Sequence, residues 1–521
     1  MVDRVHLHQI KGERTCRDKY LEPLKFTSLS QRGLSMTRLI LSLILFATST
    51  TFAMSKAEPL AEDWSDNLQV LETWLEAQRS YRGIPGLAVG IVHDGEVVYA
   101  QGFGHADQER VIPATPETVF RIASITKTFT ATAILQLRDA GKLRLDDPIT
   151  MHLPWFNIQN TFPDAPPITI LNLLTHTSGL PREAAYPYWT THEFPTIEEI
   201  KSKLPQQQTI YEPGTEIKYS NLGVTLAGEI VAAVSGMPYG EYVETHILAP
   251  LGMTSTSVHP EQALLDRMTV PYSQRLPDDR RVAWEHADTE GIAPAANIVS
   301  TVEDMCRYVA MHCNEQYQGN DAVLKGSTLR EMHRVHFLDD SWSGGWGLGF
   351  YVRPRYGENV VGHDGWVAGN RTRIFFIPDR KVGVVVMTNA DDGVPTSFAW
   401  GILDYVLPLI PASSEAAEPT AVANLDQYAG HYRDPFWWNM DVMVLDGQLV
   451  KLEYGYPPED SPASGIVKLF PTSEEHVFRM SGPNGNGETV RFVFDDRGQV
   501  ARVYVGDNFY GRPEDYPYPK D

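Results

Sequence analysis

Ser124 and Lys127 stand three residues apart in Phe120-Arg121-Ile122-Ala123-Ser124-Ile125-Thr126-Lys127, the one Ser-x-x-Lys in the chain. At a helix start, positions i and i+3 share a face, so the lysine amine hangs beside the serine hydroxyl. A hydroxyl within reach of a base is an activated nucleophile, suited to acyl transfer. A chain of this length holds roughly one or two such tetrapeptides by chance, so the pair needs company.

Two further segments supply it. In Lys218-Tyr219-Ser220-Asn221-Leu222-Gly223, a phenol near a lysine is expected to lose its proton more easily, because the cation favours phenolate. Tyr219 could then take the Ser124 proton, and Asn221 would add an amide donor for substrate or for Lys127. Taken alone, Tyr-x-Asn more often marks a capped turn before the helix expected over 224–234. The other segment is Val361-Gly362-His363-Asp364-Gly365-Trp366-Val367. Gly365 would let a substrate lie against a strand edge, and the Trp366 N–H would pair with that of Ser124 as an oxyanion hole. The bland reading of that segment is a glycine-rich turn with a satisfied histidine.

In this order the three segments resemble the motifs of the serine β-lactamase and penicillin-binding protein superfamily, Ser-x-x-Lys, Ser/Tyr-x-Asn and Lys/His-x-Gly. The match is closest to class C β-lactamases and related DD-peptidases and esterases, and covers about residues 65–405. The stretches Thr175-His176-Thr177-Ser178-Gly179-Leu180 and Pro250-Leu251-Gly252-Met253 fit the same group. The resemblance implies Ser124 as nucleophile, Lys127 and Tyr219 as shared acid and base, and Asn221, His363, Gly365 and Trp366 as substrate-binding residues. It implies no metal or organic cofactor, and gives His176 and Ser178 a structural role. Many β-lactamases have Lys-Thr/Ser-Gly as the third motif, where this chain has His363-Asp364-Gly365. A mostly neutral histidine beside an aspartate is a poor carboxylate site, which argues against strong penicillin turnover. Arg371 and Arg373, two apart on one strand face, are the candidates for restoring anion binding.

The elements that must position these residues are legible in outline. Strands are expected at 86–92 and 97–100 around an Asp94-Gly95 turn, a helix over 124–140, mainly helical text from 169 to 308, and strands again at 347–352, 372–377 and 382–387. Strands at both ends of a helical middle imply an α+β fold: one antiparallel sheet assembled from distant pieces and covered by helices. A last helix is expected at 397–407. The proline-bounded, acidic stretch 411–424 has linker composition. Paired strand patterns in 425–521 indicate a small all-β barrel domain, which resembles the lipocalin-like barrel attached to many such hydrolases. Its Trp437 and Trp438 are assigned to its core in preference to a contact surface.

Bulk properties bound the rest. The 521 residues exceed what one core organises, and 42% hydrophobic content is that of globular material. A net charge of −22 without a basic cluster argues against nucleic-acid binding. Residues 36–53 show the basic, apolar and small-residue order of a secretory signal, whose apolar run is too short for a normal spanning helix, so the mature form is expected to have no stable membrane span. This predicts a translation start at Met36, a leader ending by residue 57, a catalytic domain over 58–410, and a secreted or periplasmic product. An uncleaved anchor is the alternative. Cys306 and Cys313, seven apart on an expected helix, lie about 10 Å apart and are read as buried thiols.

The resulting expectation is an acyl-enzyme serine hydrolase. Its substrate is a small D-amino-acid peptide first, an ester second and a β-lactam third. The rival is a non-catalytic sensor of peptidoglycan fragments or penicillin.

Overall fold

The computed structural model describes residues 63–313, 323–410, 424–445, 447–454, 466–481 and 487–517. The expected leader, 1–57, lies outside them, as does the expected linker 411–424 apart from Asn424.

Two strands with apolar residues on both faces form the centre of the larger sheet. β1 (Gly86–His93) is followed by β2 (Glu96–Asp107) and the short β3 (Ile112–Pro113). Late in the chain come β4 (Phe337–Leu338), β5 (Gly345–Trp346), β6 (Tyr351–Arg355), β7 (Glu358–Val367), β8 (Asn370–Ile377) and β9 (Val382–Thr388). Their order is β3-β2-β1-β9-β8-β7-β6-β5-β4, so the first strand pairs directly with the last. Asp94 and Gly95 both take positive φ, the conformation a two-residue type I′ hairpin requires.

Period-two alternation sorts side chains into two cores. Leu87, Val89, Ile91, Val384 and Val386 face α1 (Asp63–Arg82) and α5 (Pro395–Val406). Ala88, Val92, Ile374, Phe376 and Val385 face the other way, into a larger cluster. That cluster contains buried residues of α2 (Thr126–Asp139), α3 (Asn221–Ser235) and α4 (Val302–Cys313). Both cysteines lie in α4 as free, buried thiols, with burial raising their pKa. A Cβ on Gly90 would meet the Cys306 sulfur at 2.2 Å, so a bare backbone on β1 is what lets α4 approach.

The expected helix over 124–140 is shorter and has a different start. A 3₁₀ turn, Ala123–Ile125, leads into α2, because Ala123 is held at φ 48° and cannot continue a helix backwards. Apart from α3 and α4, the middle of the chain is short helices on long connections. No single helix among the described residues is long and apolar enough to cross a membrane.

After residue 424 an eight-stranded antiparallel sheet runs in sequential order from Gly430–Arg433 to Asn508–Tyr510, and a bridge between Arg433 and Gly511 brings its ends together. The barrel interior holds Tyr428, Phe478, Phe492 and Leu449. Trp437 and Trp438 are not part of it: they are 42% and 55% exposed, beside an 80% exposed Phe436. The Asp434 carboxylate accepts from the Phe436 and Trp438 amides at 2.8 and 2.9 Å, closing a turn that carries these side chains out of a filled interior.

Candidate active site

Three separate pieces of chain meet at a cleft of about 560 Å³ lined by Ser124, Tyr219, Asn221, His363, Asp364 and Trp366. Trp189, Trp346 and Tyr351 give it aromatic walls, and Arg182 and Arg373 add charge.

Ser124 sits in the 3₁₀ turn, where early N–H groups have no intrahelical partner. The preceding left-handed Ala123 costs on the order of 1–3 kcal/mol and is of the kind that clusters at functional sites. One helical turn on, the Lys127 Nζ lies 3.0 Å from the Ser124 Oγ and donates to the Ala295 carbonyl at 2.8 Å. Lys127 is 1% exposed. Burial pushes its pKa down to about 7, against the opposing pull of Glu183 and Asp364. A large fraction of these amines is therefore uncharged at neutral pH and within hydrogen-bond distance of the hydroxyl.

Tyr219 hydrogen-bonds Ser124 from the other side, its ring 4.9 Å from the Lys127 Nζ. The expected phenolate is overturned: burial raises the Tyr219 pKa and outweighs the hydrogen bond from Ser124. The neutral amine, not a phenolate, is thus the base available beside the serine at neutral pH. The His176 ring packs against that of Tyr219, tilted, with centroids 4.3 Å apart, and its Nδ1 accepts from the Ser220 amide at 3.2 Å, so it braces the Tyr219 segment. The Ser220 hydroxyl caps α3 by accepting from the Gly223 amide at 2.8 Å. The capped-turn reading of this segment and its place in the cleft therefore hold together.

Asn221 differs from expectation. Its Nδ2 donates to both oxygens of Glu183 at 2.8 and 2.9 Å. A carboxylate only accepts, so the orientation of this amide is fixed and its nitrogen is already committed. What remains is the oxygen, buried and without a partner.

The third segment forms the end of β7. Residues 361–367 pair with β8, but β6 reaches only 358–362, so the other edge of 363–367 has no strand neighbour among the described residues. A Cβ at Gly365 would lie 2.2 Å from the Ile122 carbonyl oxygen and 2.3 Å from the Thr372 hydroxyl. That close approach seats Trp366 beside the Ser124 turn. Gly365→Ala should force the strand and turn apart by about 1 Å and lower kcat/KM by roughly 10²-fold. A variant within twofold of the parent in steady-state kinetics would refute this.

His363 donates from Nδ1 to the Asp364 carbonyl at 2.6 Å, and burial takes its pKa down to about 4. It is neutral at pH 7, leaving Nε2 as a buried acceptor without a partner. Asp364, 69% exposed, is paired with Arg373 at 3.2 Å, so the expected repulsion of carboxylates is offset locally. Arg373 lines the cleft, whereas Arg371 turns to the Asp391 carbonyl. Trp366 is held by its indole N–H on Asp391 at 3.0 Å and lies 5.7 Å from Trp189. Among the described residues no group of three or more His, Cys, Asp or Glu is arranged to hold a metal ion.

Glu183, Trp189, Trp346 and Tyr351 carry no spacing signal that sequence reasoning could have used. They reach the site from a loop, a one-turn helix (Tyr188–Thr191) and short strands.

A family model described as Beta-lactamase matches residues 71–404. Among curated proteins, Protein flp of Staphylococcus aureus is 27% identical over 332 residues, covering 62% of this chain and 63% of that protein. Beta-lactamase-like protein 2 of Dictyostelium discoideum is 29% identical over 342 residues, covering 63% and 60%. The chain thus spans less than two thirds of the length of these relatives. Among solved structures, an octameric penicillin-binding protein homologue from Pyrococcus abyssi is 27% identical with a TM-score of 0.58, covering 85% of this chain and 99% of that one. A β-lactamase/D-alanine carboxypeptidase from Yersinia pestis, 24% identical with a TM-score of 0.56 over 67% and 99%, shares the fold.

Proposed function

The chain belongs to the β-lactamase family, and from that premise we propose that it is a serine hydrolase working through an acyl-enzyme on small amide or ester substrates. The observation that carries this reading is the buried Lys127 amine, drawn down to about pKa 7, at 3.0 Å from the Ser124 hydroxyl.

In the proposed sequence, Ser124 Oγ attacks the substrate carbonyl carbon as its proton passes to Lys127. The developing oxyanion is received by the Ser124 and Trp366 amides. Collapse breaks the bond to the leaving amine or alcohol, which takes a proton from the Lys127–Tyr219 pair. Water then attacks the acyl-serine ester, giving up a proton to the same pair; the bond from the acyl carbon to Ser124 Oγ breaks, the pair returns that proton to Oγ, and the acid departs. The preferred substrate class is a D-amino-acid peptide, ahead of simple carboxylic esters. The open edge at 363–367 offers backbone groups that an extended peptide would use. The order of segments at 36–53 supports action outside the cytoplasm.

Intact-mass measurement after fluorophosphonate treatment, with D-amino-acid anilide and nitrophenyl ester turnover alongside, tests the reading. One adduct, absent from Ser124→Ala, with turnover of either substrate is expected. An adduct without turnover would point to a sensor, and no adduct would end the reading.

The pH dependence has a definite sign. The competent amine is the neutral one, so kcat/KM should rise with pH through about 7 and fall roughly tenfold per unit below it, as an apparent value of the Lys127–Tyr219 pair. A flat profile from pH 5 to 9 on a substrate without ionising groups would contradict it.

A further inference from the structure

We propose that Glu183 is a positioning residue of the acyl-transfer site: it fixes the Asn221 amide with its oxygen as the free face, and supplies the negative charge nearest in effect to Lys127. The inference rests on the serine-hydrolase reading above.

Glu183 lies in the loop Leu180-Pro181-Arg182-Glu183, behind residues that line the cleft. Its side chain is 22% exposed and held on three sides. Arg182 pairs with it at 3.0 Å, the buried Tyr188 hydroxyl donates to it, and Asn221 Nδ2 spans both of its oxygens. The loop itself is tied down: Gln207 donates to the Glu183 carbonyl at 2.9 Å, and the Asn221 amide to the Arg182 carbonyl at 2.8 Å.

Two consequences follow from chemistry. With its nitrogen committed, Asn221 can offer only an acceptor, Oδ1, which is buried and unpartnered. Such an oxygen waits for an N–H: that of a substrate amide, or one on Lys127 once it has taken the serine proton. An Asn221 free to flip would present the wrong half of its amide about half the time.

The second consequence is electrostatic. The groups that face Lys127 are Glu183, Arg182, Asp364, His176, His363 and Tyr219. Of these, Glu183 makes the largest charge contribution and opposes burial, keeping the amine basic enough to accept a proton. Arg182 acts in the opposite direction.

The test uses the full chain and the rate of Ser124 labelling by a fluorophosphonate from pH 5 to 9, which needs no known substrate. Glu183→Gln keeps an acceptor for Asn221 and Tyr188 but removes the charge. Its acid limb should move about one pH unit toward acid, so labelling below pH 7 is faster relative to its own plateau. Tyr188→Phe removes the other hydrogen bond to the carboxylate without changing charge; its limb should stay in place even if its thermal midpoint falls. On the plateau, Glu183→Ala and Asn221→Ala should each slow labelling, with the double variant no slower than Asn221→Ala alone.

An unmoved limb in Glu183→Gln, an equal shift in Tyr188→Phe, or losses that multiply in the double variant would each overturn the proposal while the parent still labels. Failure of the parent to label at any pH would instead overturn the serine-hydrolase reading.

Discussion

Ser124→Ala is expected to lower kcat by on the order of 10⁵–10⁶-fold and to abolish the fluorophosphonate adduct, while the fold remains intact. The size follows from how much of the site converges on one oxygen. Lys127 and Tyr219 both bond to it, and the left-handed Ala123 projects it into the cleft. With the hydroxyl gone the amine has nothing to activate but water. The residual rate would come from the oxyanion donors and from binding alone. Single-turnover measurement on an activated ester, with mass detection of the acyl-serine, reads both quantities. A variant that retains a tenth of the parent rate would exclude Ser124 as nucleophile.

Lys127→Met is expected to lose activity and gain stability. Without the base, kcat/KM should fall by roughly 10²–10⁴-fold. The stability argument comes from proton linkage. The lysine has a pKa of about 7 folded, against an ordinary value of 10.5, so between those values the unfolded chain binds more protons than the folded one. Unfolding free energy therefore rises with pH across that window, and at pH 7 the folded protein carries a penalty of about 4 kcal/mol relative to pH above 10.5. Methionine fills similar space without it. It also strips the Ala295 carbonyl of its donor, costing about 1–3 kcal/mol, so a net gain of about 2 kcal/mol at pH 7 is expected. The gap between variant and parent should close as pH approaches 10. Urea unfolding at the two pH values checks this, and a variant less stable than the parent at pH 7 would contradict it.

Much of the cleft was legible because its chemistry depends on local spacing. Ser124 and Lys127 are one helical turn apart, and Gly365 marks a place where backbone must touch backbone. The Asp94-Gly95 hairpin and the alternation in β1 and β9 were readable for the same reason: the causes lie within a few residues. What sequence could not give depends on surroundings. Whether a tyrosine next to a lysine ionises is decided by burial, which only the assembled core reveals, and here burial raised the phenol and lowered the amine. Which half of the Asn221 amide faces the cleft was decided by Glu183, 38 residues away in a loop without a pattern. Trp437 and Trp438 look like core by composition, yet a turn closed by Asp434 directs them outward.

The pairing of β1 with β9 also bears on how the molecule comes into being. Gly86 is joined to Asn389 across 303 residues, so the strand made first has no partner on that side until nearly the whole catalytic region has been synthesised. The central strand of the finished sheet is an open edge throughout translation. Local hairpins and helices can form as they emerge, but the sheet cannot be completed in the order in which it is made, and its closure is a late, long-range event. A ribosome that stops anywhere before β9 leaves a hydrophobic edge exposed to aggregation and proteolysis rather than a working fragment.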